Sequence, residues 1–286
     1  MKDKPECGTR RTFLKSALMA TIGAALPTGM ARAGAAFSQD SLQVWSCGGL
    51  AEAFMPANEM YEKRAGVKIS YTGAFAAALG KSLLGSATTE VFGGRVLDLA
   101  KKLRQTGKMV YFRPLCFTSY VMVTPKGNPA GIREIKDMAK PGVRVVLAPD
   151  ASPPGGQAAQ GVLKKAGILD AVMKNAVTLG SCVQRTMDDI VGGKGDVSIV
   201  ELRITRMPAF EGKMDIVCIP EDYFPPPPLT FTIGVMKDAK DRALADDYVD
   251  FITSNEGQSF FDRCGFIPAV SDKGRELIEK LGVKDV

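Results

Sequence analysis

The sequence predicts an α/β protein of two lobes, each a mainly parallel sheet flanked by helices, with a ligand cleft between the lobes. From residue 41 onward, short apolar runs alternate with helical patterns, and this alternation is typical of βαβ units. The chain has 286 residues, which is long enough for one large domain or two modest ones. Hydrophobic residues make up 45% of it and charged residues 24%, a balance that is ordinary for a soluble globular protein.

The first series of elements begins after residue 40. Strands are predicted at 42–45, 67–71 and 90–92, where apolar residues run together or alternate with polar ones. The helices that follow them start at Gly48, pass through 79–84 and cover 96–105. Because each strand is followed by a helix, the pattern predicts βαβ units and a parallel sheet.

The second series runs from residue 120 to the C-terminus. Its predicted strands lie at 120–123, 143–148, 177–179, 197–200, 215–220 and 229–236. Its predicted helices lie at 132–138, after Gly156, after Cys182, at 239–253 and after Asp272. The four prolines at 225–228 predict a stiff polyproline segment.

These elements predict a discontinuous first lobe and an inserted second lobe. Residues 34–117 and 230–286 are assigned to the first lobe, and residues 118–229 to the second. The strands near 117–123 and 229–235 would carry the chain between them. Ligands of such sheets bind beyond the carboxyl ends of the strands, which here singles out turns at 46–49, 72–76, 152–156, 180–183 and 201–203.

Residues 1–33 have the features of a removable export signal of the twin-arginine type. Arg10-Arg11 precedes a short apolar run at 16–26, and Ala31-Arg32-Ala33 provides a small-x-small cleavage site. The run is shorter than the roughly 20 residues that span a bilayer. No cysteine follows at a lipoprotein position, so we expect a soluble periplasmic product that begins after Ala33.

Removal of this signal changes the charge of the protein. The whole chain carries a formal charge of +6, and residues 1–33 hold six basic and two acidic side chains, so the mature chain keeps only +2. This balance does not favour nucleic acid as a partner, because nucleic-acid binding needs a clustered basic face.

Histidine is absent from the chain. Its absence excludes Ser-His-Asp and Cys-His nucleophile arrangements and zinc hydrolases of the H-E-x-x-H type. No phosphate loop or carboxylate pair lies in the predicted turns, so we expect no enzymatic activity and no cofactor. An exported enzyme is the least favoured of the functions considered.

Four segments resemble the periplasmic molybdate- and tungstate-binding proteins of ABC importers, which have the type II periplasmic solute-binding fold. They are the first strand and turn at 44–50, the strand and Pro-Lys at 121–126, Pro153-Pro154-Gly155-Gly156, and the Gly-Phe ending at 263–268. The resemblance covers roughly residues 41–268. It implies a monomer that closes on a small oxyanion and delivers it to a membrane permease.

The resemblance also implies which positions hold the ligand. Family members use helix N-termini, whose free N–H groups and positive dipole suit an anion, together with serine hydroxyls and often a tyrosine. Here the first serine position falls on Gly49, or on Ser46 with a shift. The second falls near Ala74 and Phe75, which lack a hydroxyl, and the tyrosine position falls on Glu201. The implied ligand-binding residues are Ser46, Cys47, Gly48, Gly49, Ala74, Phe75, Ser152, Gly155, Cys182, Val183 and Glu201.

An alternative hypothesis keeps the fold and replaces the oxyanion with a soft metal or metalloid. Thiolates are soft ligands, and Cys47 and Cys182 both lie in predicted cleft turns, so Cys47, Cys182 and Glu201 would be the metal ligands. Five cysteines remain in the mature chain, an odd number in an oxidising compartment, so one thiol at least is free, liganded or paired between chains. Arg113 and Arg185 are candidate partners for an anion or for Glu201.

Overall fold

A computed structural model describes residues 37–151, 155–224 and 230–286. The predicted export signal, Ser152 and the four prolines lie outside these ranges. The strands are β1 (Ser41–Cys47), β2 (Lys68–Ala74), β3 (Val91–Arg95), β4 (Met109–Phe117), β5 (Tyr120–Pro125), β6 (Val145–Leu147), β7 (Ala176–Leu179), β8 (Ser198–Glu201), β9 (Met214–Cys218), β10 (Thr230–Met236) and β11 (Ile267–Pro268).

The helices alternate with these strands. They are α1 (Ala51–Ala65), α2 (Ala76–Leu84), α3 (Leu97–Gln105), α4 (Gly155–Lys165), α5 (Leu169–Lys174), α6 (Val183–Val191), α7 (Leu202–Thr205), α8 (Arg242–Thr253), α9 (Asn255–Arg263) and α10 (Asp272–Leu281). A 3₁₀ turn over Gly48–Leu50 joins β1 to α1. No helix within the described ranges is long and apolar enough to cross a bilayer.

The first lobe is built on a six-stranded sheet with the order β11-β4-β10-β3-β1-β2. Helices α1, α8 and α9 bury one face of it through residues such as Phe54, Tyr248 and Phe261. Helices α2, α3 and α10 bury the other face against β4. Edge-to-face contacts between aromatic rings, such as Phe54 on Phe261 at 5.4 Å, tie the first helix layer together.

The second lobe contains a three-stranded sheet, β8-β5-β9, and a two-stranded sheet, β6-β7. A parallel bridge between Val145 and Val197 connects the two sheets. Helices α4 and α5 cover one side and α6 the other. The chain enters this lobe between β4 and β5 and leaves it between β9 and β10.

The sheets are mixed, and this corrects the expectation of mainly parallel sheets. Strand β1 pairs in parallel with β2 and β3, whereas β10 pairs antiparallel with both β3 and β4. Strand β5 is antiparallel to both of its neighbours. The physical reason is that β4, β5 and β10 connect the lobes, so no local βαβ crossover dictates their direction.

Five elements have no counterpart in the sequence-based prediction. These are β4, α5, α7, α9 and β11. Strand β4 contains Pro114, and Pro weakens any strand prediction because it cannot donate a ladder hydrogen bond. The lobe boundaries at 34–117, 118–229 and 230–286 stay a prediction.

Candidate functional site

Strand ends from both lobes meet beneath the cleft. Strands β1 and β3 are parallel neighbours, so their last residues, Cys47 and Arg95, emerge at the same edge of the first sheet. Glu201 is the last residue of β8 in the second lobe and pairs with Tyr120 of β5. These strand ends bring charged side chains from the two lobes into direct contact.

Glu201 forms two buried ion pairs. Its Oε1 lies 2.8 Å from Nη2 of Arg95, and its Oε2 accepts a hydrogen bond of 2.8 Å from Nε of Arg203. The side chains of Arg95 and Glu201 are 6% and 8% exposed, and that of Arg203 is 14% exposed. Nη2 of Arg95 also donates to the Tyr120 hydroxyl at 3.1 Å. The carboxylate is therefore held from both lobes at once.

The two guanidinium groups keep Glu201 ionised. Burial alone would raise the pKa of this carboxyl, but Arg95 and Arg203 outweigh burial and hold the pKa below its ordinary value. Burial by itself would lower the pKa of Arg95, but Glu201, Tyr120 and Cys47 together outweigh burial and raise this pKa. The group of Arg95, Glu201 and Arg203 carries one net positive charge.

Arg203 extends from the second lobe to the backbone of the first. Its Nη2 lies 3.3 Å from the position that a Cβ at Gly49 would occupy. Gly48 approaches the backbone of Ala74 in the same way, with 3.6 Å between its ideal Cβ position and the Ala74 carbonyl oxygen. A Cβ at Gly49 would crowd the guanidinium of Arg203, whereas a Cβ at Gly48 would make only an ordinary van der Waals contact.

Several helices begin at this cleft without a side-chain cap. The N-cap residues of α2, α6 and α7 are Phe75, Cys182 and Glu201, and none of them accepts a capping hydrogen bond from its helix. By contrast, α8, α9 and α10 are capped by Asp241, Ser254 and Ser271. Uncapped helix starts present free N–H groups and a positive dipole end.

A pocket in the second lobe adjoins the ion group. Gly155 at the start of α4 and Val183 at the start of α6 line it, together with Glu201 and Arg203. Tyr120 forms part of its wall. Two helix N-termini and two charged side chains therefore border one concave surface.

The predicted serine does not present a free hydroxyl. Ser46 is fully buried, and its Oγ lies 2.5 Å from the Tyr71 hydroxyl. Phe75 is 69% exposed at the start of α2. Ser152 lies outside the described residues.

The structure does not assemble the metal site of the alternative hypothesis. Cys47 is buried close to Glu201, and burial raises the pKa of its thiol above the ordinary value despite the Gly49 N–H and Arg95 nearby. Cys182 is exposed on the surface. No three His, Cys, Asp or Glu side chains within the described ranges come together to hold a metal ion. Both oxygens of Glu201 already face guanidinium groups.

The arginines that contact Glu201 differ from those predicted. Arg113 pairs with Asp250 at 2.5 Å and Arg185 is exposed on α6, so neither of them is the partner of Glu201. Arg203 lies in a turn that the strand-end rule singled out, but Arg95 was missed. The signal for Arg95 was its place just past a predicted strand, where β3 extends further than the apolar run.

Comparisons with known proteins agree with this architecture. A family model of bacterial extracellular solute-binding proteins matches residues 42–267. The molybdate-binding protein ModA of Mycobacterium tuberculosis is 24% identical over 239 residues, which cover 79% of this chain and 84% of that protein. A solved structure described as the substrate-binding domain of a molybdenum ABC transporter from Clostridium difficile has a TM-score of 0.68 and 21% identity, covering 80% of this chain and 98% of that one.

The periplasmic molybdate-binding protein of Azotobacter vinelandii has a TM-score of 0.63 at 17% identity, and the match covers 79% of this chain and 98% of that one. Identities this low show the fold alone, and they confirm the two-lobed α/β class and the resemblance found in the sequence. The family model matches well over half of the residues. The chain therefore belongs to the family of bacterial extracellular solute-binding proteins.

Proposed function

We propose that this protein is the binding component of an ABC-type importer and that it closes on a small oxyanion resembling molybdate or tungstate. The observation that carries the proposal is Arg203, a largely buried guanidinium whose Nε is held by Glu201 while its Nη2 lies against Gly49. A guanidinium presents N–H donors in the planar geometry that oxyanions accept. Arg203 would supply hydrogen-bond donors in place of the serine hydroxyl groups that are missing here.

The helix starts support the same class of ligand. The N-termini of α4 and α6 border the pocket beside Arg203, and the N-cap of α6 makes no side-chain hydrogen bond to its helix. Free backbone N–H groups and the helix dipole bind anions without any contribution from the side chain. Ala74, Gly155 and Val183 can therefore serve an anion site although they lack hydroxyl groups.

The relatives support the cargo and the partner. One relative is named for molybdate binding, and one solved structure is described as part of a molybdenum ABC transporter. We propose the same arrangement here, with a monomeric protein that passes its anion to a membrane permease and catalyses no reaction. Tungstate is included because its tetrahedral oxyanion offers the same acceptors.

Anion binding can be tested by thermal unfolding and calorimetry with molybdate, tungstate and sulfate. At about 100 times the Kd, a ligand adds about 2.7 kcal/mol, which corresponds to a rise in Tm of roughly 5–10 °C. Replacement of Arg203 by Gln should weaken binding roughly 10- to 100-fold, because hydrogen bonds to charged groups contribute about 1.5–3 kcal/mol.

Arg206→Gln is the matched control. Arg206 is exposed and lies three residues after Arg203, and its substitution removes the same charge. It should leave the affinity within about twofold of the wild type, given the small effect of exposed charges. Equal losses in both variants would mean that only overall charge matters. Absence of any shift with molybdate and tungstate at large excess would show that these ions are not the ligand.

We also propose that the protein reaches the periplasm by the twin-arginine route and that its signal is removed near Ala33. The proposal rests on the sequence of residues 1–33 and on membership of an extracellular protein family. The order of paired arginines, apolar run and small-x-small site supports it.

A further inference from the structure

Arg203 faces carboxylates from both lobes. Glu201 accepts from its Nε at 2.8 Å in the second lobe, and Glu52 of the first lobe places Oε2 3.7 Å from its Nη1. These are the two ion pairs of Arg203 within the described part of the chain. The same guanidinium is thus held by one carboxylate and approached by another.

The two carboxylates differ in burial. The Glu201 side chain is 8% exposed and is paired with Arg95 as well, whereas the Glu52 side chain is 41% exposed. Removing a buried partner leaves an uncompensated charge, but an exposed ion pair is weak. Glu201 is therefore a fixed support for Arg203, while Glu52 can leave it at little cost.

Glu52 lies beside Nη1 of Arg203, a nitrogen that Glu201 does not hold. It lies in the first turn of α1, three residues after Gly49, and Arg203 packs on the Gly49 backbone. A carboxylate and an oxyanion accept the same N–H donors, so an anion that approaches Nη1 competes with Glu52 for this nitrogen. The negative charge of Glu52 would also repel an anion bound at this position.

We propose that Glu52 is an internal competitor for the anion site, whose carboxylate must give up Arg203 before an anion binds there. This inference rests on the proposed function, because it concerns the same site. Glu52 thereby lowers the affinity for the anion and makes Arg203 pass from one acceptor to another as the ligand enters.

The test compares Glu52→Gln, Glu52→Asp and Glu59→Gln with the wild type, by calorimetry with sodium molybdate and sodium sulfate. Glu52→Gln removes the competing charge and should raise the affinity roughly two- to fivefold, the range that exposed ion pairs span. Glu52→Asp keeps the charge but shortens the side chain, so it should raise the affinity as well. Glu59 is exposed two turns along the same helix, and Glu59→Gln should leave the affinity unchanged.

Each of four results would contradict the proposal that Glu52 competes with the anion. An unchanged or weaker affinity in Glu52→Gln would show that Glu52 does not oppose binding. A rise in Glu52→Gln with none in Glu52→Asp, or an equal rise in Glu59→Gln, would assign the effect to charge at a distance. If the wild type binds neither anion, the proposed function fails, and the competitor fails with it.

Discussion

At the residue scale, the buried carboxylate of Glu201 and its two arginine partners determine the charge of the cleft. A buried charge is costly unless it is paired, and here two guanidinium groups at 2.8 Å satisfy both of its oxygens. One of them, Arg95, comes from the opposite lobe and stacks on the Phe231 ring at 5.4 Å. A tyrosine at this position, as in the resembling family, would need neither arginine.

Replacing Glu201 by Gln should destabilise the protein by about 3 kcal/mol, because it leaves Arg95 buried without its counter-charge. The variant should also lose anion affinity, since Arg203 loses the acceptor that holds its Nε. Urea unfolding at neutral pH measures the first effect and calorimetry the second. Unchanged stability would contradict the buried ion pair.

The ion pairs of Glu201 should also make the stability of the protein depend on pH. Because the pKa of Glu201 is lower in the folded protein than its ordinary value of 4.5, its contribution to stability is complete above that value. The contribution is lost as the pH falls below 4.5 and the carboxylate is protonated. Other carboxyl groups titrate in both proteins, so their effect cancels when the two free energies of unfolding are subtracted. The difference between wild type and Glu201→Gln should therefore narrow below pH 4.5 and stay constant above it.

At the element scale, the helices divide into two groups by how they begin. Those at the cleft lack side-chain caps, while α8, α9 and α10 have Asp or Ser at the N-cap. A cap satisfies an N–H group that would otherwise be free, so it stabilises a helix and removes a donor from any ligand. Helices α3 and α5 also begin without a side-chain cap, so free donors are not confined to the cleft. What distinguishes α6 is that its uncapped start borders the pocket beside Arg203.

Ser271→Ala should lower the free energy of unfolding by about 1 kcal/mol, because the Ser271 hydroxyl accepts from the Gly274 N–H at 3.0 Å. Ser271→Gly should cost only a few tenths of a kcal/mol, since glycine is an acceptable N-cap. Chemical denaturation gives both values. Anion affinity should be unchanged, because α10 packs on the far face of the first sheet; a loss of binding would contradict that separation.

At the scale of the whole molecule, the chain forms one lobe, crosses to the second and returns. Strand β10 inserts between β3 and β4, so these two strands are joined into one sheet only after residues 230–236 have been added. The first lobe therefore depends on contacts that are distant in sequence. A chain that folds before export would be ready for the twin-arginine route, which carries folded proteins.

Changing Arg10 and Arg11 to Lys should abolish appearance of the protein in the periplasm, while the full-length precursor stays in the cytoplasm. Cell fractionation followed by mass measurement of the intact protein tests this. The wild-type periplasmic protein should begin at Gly34, directly after the small-x-small site. Export that persists in the double variant would point to a different route.

The sequence by itself determined the α/β class, most of the strands and helices, and the strand ends at which we propose that a ligand binds. These depend on local patterns, such as the apolar run that becomes β1 and the glycines that follow it. Only the tertiary structure decided that Arg95 and Arg203 meet Glu201, that the Ser46 hydroxyl contacts Tyr71, and that Cys47 is buried while Cys182 is exposed. The physical reason is that ion pairs and burial depend on which distant segments pack together. The periodicity of a sequence predicts local elements but does not specify these tertiary contacts.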